Sequence, residues 1–253
     1  MKLTRSILSL ILALVLVFSL GAGVFAADYP ESGFVDVPRS EWFAEAVDYA
    51  KAEGLMNGVG DNRFDPHGAV TRAMVVTVLY RAASEPDVTG VESKFSDVTD
   101  PKAWFYNAVL WGAEKGIVNG MGNGTFAPNA PITREQMATM IIRYALVTAD
   151  EGSSLMAELA QRDPDGAVAL QMLMNGIDPK LAEGFPAVAD FKGFQDAASI
   201  SPYARWNVLF CRLTGIMKGD EAGTFRPQAT LSRAECAQTF LNVSDLADSV
   251  IAQ

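Results

Sequence analysis

The first apolar pattern in the chain is a nearly unbroken run from Ile7 to Leu20, preceded by Lys2 and Arg5 and followed by the small-residue ending Val24-Phe25-Ala26. A basic start, a short apolar stretch and a small-residue exit predict an export signal cleaved after Ala26. The run falls short of the roughly 20 residues a spanning helix needs. The second pattern has helical spacing. Trp42, Phe43, Ala46, Val47 and Ala50 form one apolar stripe, and Trp104, Phe105, Ala108, Val109 and Gly112 repeat it. Gly54, Gly116 and Gly215 stand where a left-handed helix stop is wanted.

These stripes are parts of a unit that occurs three times. Copy one runs Phe34, Asp36, Trp42-Phe43, Gly54, Asn57-Gly58, Phe64-Asp65-Pro66 and Val70-Thr71-Arg72. Copy two runs Phe95, Asp97, Trp104-Phe105, Gly116, Asn119-Gly120, Phe126-Ala127-Pro128 and Ile132-Thr133-Arg134. Copy three runs Phe194, Asp196, Tyr203-Ala204, Gly215, Lys218-Gly219, Phe225-Arg226-Pro227 and Leu231-Ser232-Arg233. Glycine, Phe-x-Pro and arginine landmarks lie 62 residues apart between copies one and two, and 99 apart between copies two and three. Ordered landmarks at fixed offsets exclude coincidence.

Each copy reads as helix, turn, helix, so the fold class is all-α. The Gly-rich turn ending in Phe-x-Pro predicts tight turns closed by a buried ring. The second helix starts at the Thr or Ser before each arginine. Thr133 with Gln136 and Ser232 with Glu235 are capping boxes, whereas copy one pairs Thr71 with Met74 and keeps half a box. The extra 37 residues between copies two and three carry helix signals of their own: Asp163-Pro164, then Leu170, Met172, Leu173 and Met174, then Asp178-Pro179. The predicted organisation is a signal segment over 1–26, repeats over 30–93, 94–147 and 190–253, and a small helical insertion over 148–189. The Met-rich run of that insertion packs on itself or offers a partner-binding face.

Charge narrows the range of partners. The full chain carries 20 basic and 30 acidic side chains, a net charge of −10. Losing residues 1–26 removes Lys2 and Arg5 and no acid, giving −12. A field of that sign argues against nucleic acid, and with the signal removed no membrane association is expected. Any bound anion needs a local grip. Cys211 and Cys236 form no Cys-x-x-Cys and lack a histidine pair, so no metal site is expected; export permits a disulfide, and two buried thiols are the alternative.

No arrangement for catalysis is found, and no cofactor is expected. His67 stands in a turn with no counterpart in the other copies and no nucleophile beside it. His-Glu-x-x-His, Gly-x-Ser-x-Gly and phosphate-cradling glycine motifs are missing. The anomaly is arginine. Arg72, Arg134 and Arg233 each fall at the first position of a helix, where the macrodipole disfavours cations. Three in register break a local rule, and such violations gather where function demands them. Free N–H groups at the helix start with a guanidinium fork beside them suit a carboxylate. The competing reading is a salt bridge, each arginine held by an acid such as the aspartate of its own copy, Asp36, Asp97 or Asp196, and one arginine can serve both roles. Trp42, Trp104 and Tyr203 are either core anchors, as their place on the stripe favours, or platforms for sugar rings.

Together, Phe-x-Asp, a Trp-led helix, Gly-Thr-Phe-x-Pro and (Ile/Leu)-(Thr/Ser)-Arg-x-(Glu/Gln) resemble the S-layer homology domain of bacterial surface proteins. The resemblance implies a pseudo-threefold helical bundle or prism whose inter-repeat grooves bind a secondary cell-wall polymer, a peptidoglycan-linked polysaccharide often ending in a pyruvylated amino sugar. It implies that Arg72, Arg134 and Arg233 meet the ligand carboxylate, supported by Asp36, Asp97, Asp196, Trp42 and Trp104, with Tyr203 in the tryptophan's place. It implies a non-catalytic, secreted protein at the bacterial cell wall. A self-assembling surface-layer subunit and an envelope enzyme or accessory subunit are the other readings. Copy one lacks the acid after its arginine, copy two has it one place early in Glu135-Gln136, and copy three has Asp220-Glu221 in its turn; the site involving copy two is expected to be the best preserved.

Overall fold

The computed structural model describes residues 29–150 and 194–251. The expected signal segment and nearly all of the expected insertion, with its Met-rich run, lie outside the described residues. Six α-helices are formed there: α1 Ala44–Ala52, α2 Arg72–Ala82, α3 Tyr106–Glu114, α4 Arg134–Asp150, α5 Arg205–Thr214 and α6 Arg233–Ile251. The described residues contain isolated bridges but no strand, so the all-α expectation holds. They fall into two compact units, one of residues 29–140 with 229–241, the other of 141–150, 194–228 and 242–251.

In the first unit, α1 and α3 begin one residue after the Trp-Phe pair rather than at it. Neither has a side-chain N-cap; a turn leads in instead, with the Ala44 amide donating to Glu41 O and the Tyr106 amide to Ala103 O. Ala46, Val47 and Ala50 of α1 are fully buried, as the stripe predicts. The expected stops are present, with Gly54 at φ +65° and Gly116 at φ +72°. Helix α2 packs against α3. The approach is close at Gly112, where a β-carbon would lie 2.8 Å from Val76 Cγ2. Tyr80 and Trp111 meet ring to ring at 5.6 Å.

The second helices are capped as their sequences predict. The Gln136 amide donates to Thr133 Oγ1 while Gln136 Oε1 accepts from the Thr133 amide. Ser232 and Glu235 repeat the exchange. In copy one only the Met74 amide bond to Thr71 Oγ1 is made. The segments leading into these helices are joined by a closed cycle of main-chain hydrogen bonds: the Val70 amide donates to Leu231 O, the Leu231 amide to Ile132 O, and the Ile132 amide to Val70 O, at 2.9–3.0 Å. Val70, Ile132 and Leu231 are fully buried, so the cycle lies in the core, where an unmade bond would be expensive.

In the second unit, two short 3-10 turns, Ala197–Ser199 and Pro202–Ala204, lead into α5, which ends on Gly215 at φ +79°. Phe194 packs on Phe225 at 5.2 Å, with Arg212 over the Phe194 ring at 5.0 Å. Asn242 Nδ2 donates to Ile216 O and ties the later part of α6 to the segment after α5. Cys211 of this unit and Cys236 of the first are buried and not joined in a disulfide, and burial pushes the Cys236 thiol up to about 12. They pack as small hydrophobes.

Candidate functional site

The opening Phe-x-Asp of each copy folds around that copy's Phe-x-Pro turn. Phe34 packs on Phe64 at 5.6 Å and Phe95 on Phe126 at 5.5 Å, as Phe194 does on Phe225. Phe64, Phe126 and Phe225 are fully buried, the closing rings the sequence predicts. The aspartates do not pair with the arginines of their own copies. Asp36 accepts from the amides of Phe64 and Asp65, each at 2.8 Å. Asp97 accepts from Phe126 and Ala127, each at 2.7 Å, and Asp196 accepts from Phe225 and Arg226 at 2.8 and 2.7 Å. The salt-bridge reading is corrected for these aspartates, each of which grips two successive turn amides, and holds at Arg134, which pairs with Glu235 instead. For Asp36, burial pushes the carboxyl up, but the Phe64 and Asp65 amides, its own amide and nearby Arg63 outweigh that and hold it below its usual 3.8.

That grip has a reason. The middle residue of every Phe-x-Pro is left-handed: Asp65 at φ +57°, Ala127 at +58° and Arg226 at +55°. A non-glycine residue there costs about 1 kcal/mol or more, and two charge-assisted hydrogen bonds offset it. The turned backbone then exposes its carbonyls to a neighbouring repeat. The glycine before the turn is equally fixed. A β-carbon at Gly58 would lie 2.7 Å from both Arg63 O and the Phe34 ring, and one at Gly120 would lie 2.7 Å from Thr125 O.

The arginines reach across from one repeat to the next. Arg72 of copy one donates through Nε to Phe126 O and through Nη2 to Asn119 O of copy two, at 2.8 and 2.7 Å. Its guanidinium lies 4.7 Å over the Phe126 ring. Arg233 of copy three treats copy one in the same way, with Nε on Phe64 O and Nη2 on Asn57 O, each at 2.7 Å, and the Phe64 ring 4.5 Å away. Arg134 pairs through Nη1 with Glu235 Oε1 of copy three at 3.0 Å. All three arginines are buried, at 5–7% exposure. Two carbonyls and a ring face hold a guanidinium that burial would otherwise penalise heavily. Burial pushes Arg233 down, opposed by nearby Cys236, Asp65 and Asp36; it remains charged.

The expectation of free amides at the helix starts is also corrected. The amides of Arg72 and Ala73 donate to Ala130 O and Pro128 O, and those of Arg233 and Ala234 to Gly68 O and Pro66 O. The Arg134 amide donates to Ala229 O. Neighbouring repeats thus use the donors an anion would need, and the guanidiniums are the cationic groups left at these helix starts.

Core burial of the aromatic trio is a third expectation overturned. Trp42, Trp104 and Tyr203 are 60%, 59% and 47% exposed. The following phenylalanine takes the inward place: Phe43 is 1% exposed, with Trp42 edge-on to it at 5.3 Å, and Trp104 stands on Phe105 in the same way. Phe43 also meets His67 edge-on at 5.8 Å. Pro66 and Gly68, which flank His67, supply the carbonyls that receive α6. Sequence reasoning missed the carbonyl acceptors Asn57, Phe64, Asn119 and Phe126, because a main-chain acceptor has no side-chain signature.

Comparison with known proteins fits this repeat geometry. The family model described as S-layer homology domain matches residues 33–73, 94–138 and 193–237. The chain is 28% identical over 244 residues to an endoglucanase of Bacillus sp. (strain KSM-635), covering 94% of this chain and 22% of that protein. It is 25% identical over 213 residues to the surface-layer 125 kDa protein of Lysinibacillus sphaericus, covering 83% of this chain and 15% of that one. Against an S-layer protein of Bacillus anthracis it is 30% identical over 122 residues, 47% of this chain and 14% of that one. The chain therefore spans less than a quarter of the length of each of these relatives. With three matched copies that together cover half its length, the chain belongs to the S-layer homology domain family, which puts it at the cell surface in a wall-anchoring or surface-layer role.

Proposed function

We propose that this protein is a non-catalytic anchor that binds an anionic, pyruvylated secondary cell-wall polysaccharide at the junctions between its repeats. The observation that carries this reading is the pair of buried guanidiniums, Arg72 and Arg233, each reaching across a repeat junction onto two carbonyls and a ring of the next copy. A guanidinium so seated gives a local positive centre on a chain of net charge −10. The exposed rings of Trp42 and Trp104 add flat apolar faces suited to sugar rings. Asp36 and Asp97 serve indirectly, by shaping the turns that position the acceptors of Arg233 and Arg72, and Asp196 shapes the equivalent turn of copy three.

The matched proteins support a module rather than an enzyme. A stretch shared by an endoglucanase and two surface-layer proteins, and amounting to a small part of each, does not by itself carry a glucanase chemistry. Co-sedimentation with polymer-bearing sacculi tests the proposal without touching the core. The double substitution Trp42→Ala, Trp104→Ala should lower retention about tenfold while helical circular dichroism is unchanged; unaltered retention would remove the stacking role. Because two relatives carry surface-layer names, self-assembly is the second reading, and light scattering separates the two: a strict monomer excludes it.

A further inference from the structure

Arg134 and Arg233 are alike in register but not in charge compensation. The third residue of each helix, two after the arginine, is Met74, Gln136 or Glu235, and all three positions are half-buried. Glu235 does two things at once: Oε2 accepts from the Ser232 amide and Oε1 accepts from Arg134 Nη1. The capping residue of copy three thus neutralises the arginine of copy two.

The repeat geometry sets the same relation at the other junctions. The Arg134 amide donates to Ala229 O, the Arg72 amide to Ala130 O and the Arg233 amide to Gly68 O, in each case the residue four before the next copy's arginine. Met74 therefore stands to Arg233 as Glu235 stands to Arg134. Among the described residues no carboxylate lies within ion-pair distance of Arg233, whose hydrogen bonds go to the carbonyls of Phe64 and Asn57. The same junction carries the Phe43–His67 contact, with the exposed Trp42 ring one step farther out.

From this the geometry points to the junction of copies three and one, at Arg233, as the seat of the anionic polymer, with Met74 the residue that keeps it open to an anion and Glu235 the residue that closes the equivalent place at Arg134. This inference rests on the anchoring proposal and adds which junction is used and what determines it. Copy two has the fuller pattern in sequence, but its Arg134 already faces an internal carboxylate, Glu235 of copy three, that competes with the ligand's own.

Substitution at position 74 separates charge from folding. Met74→Gln and Met74→Glu both complete the copy-one capping box with Thr71, as Gln136 and Glu235 do in theirs, so both should melt at or above the wild-type temperature. Only glutamate brings a carboxylate to Arg233. In co-sedimentation with polymer-bearing sacculi, Met74→Glu should weaken retention roughly tenfold and Met74→Gln no more than about twofold. Glu235→Gln, which releases Arg134 and keeps the Ser232 box, should strengthen retention. Wild-type retention equalled or exceeded by Met74→Glu overturns the assignment and leaves the anchoring proposal standing. If Met74→Glu fails to fold, unchanged or weaker retention by Glu235→Gln overturns it. A wild-type protein that sacculi do not retain sinks both.

Discussion

The middle residue of Phe-x-Pro shows how a single backbone torsion organises a larger arrangement. Ala127 sits at φ +58° with no polar side chain to help it; Asp97 accepts from its amide and the Ala130 amide donates to its carbonyl. Ala127→Gly should raise stability by about 0.5–1 kcal/mol in thermal denaturation; a lowered melting temperature would mean that the left-handed turn is not strained. Asp36 makes the complementary test. Its folded-state carboxyl is held below 3.8, so the stability it contributes is fully present above the unfolded value and is lost as pH falls through the lower, folded one. Wild-type melting temperature should fall more steeply below about pH 4 than that of Asp36→Asn. At this scale the sequence marked the right aspartates but not their partners. Each carboxylate bonds amides 28 to 30 positions away, and an amide donor leaves no trace in residue type.

Helix ends were readable where the signal is local. The capping boxes at Thr133 and Ser232 and the half box at Thr71 lie within four residues, and all three form as written. The starts of α1 and α3 were misplaced by two residues because no side-chain cap marks them. A turn ends on the Trp-Phe pair, sending both tryptophans to solvent and burying Phe43 while Phe105 is half-buried. A stripe drawn through both rings assumed a helix where the chain is still turning. The glycine before each turn gives a sharp check on the packing. Gly120→Ala forces a β-carbon to within 2.8 Å of the Phe95 ring and 2.7 Å of Thr125 O. It should cost about 2 kcal/mol or more in chemical denaturation, and a near-neutral result would show that the Phe95–Phe126 pair has room to yield.

The three copies and their order were visible in sequence because side-chain landmarks repeat at fixed offsets. What joins them in the first unit was not, because the cycle through Val70, Leu231 and Ile132 is main-chain bonding between residues as much as 161 positions apart. Leu231→Pro removes one of its donors in a fully buried place and should destabilise the protein by about 3 kcal/mol or more. The register of the arginines was legible as a broken dipole rule. Their burial and carbonyl partners were not, since both depend on a neighbouring repeat.

The most direct test of anchoring through an anion is retention of the wild-type protein on sacculi before and after mild acid removal of the polymer's ketal groups. The account predicts strong retention before treatment and nearly complete loss after it. Equal retention on both preparations would contradict it.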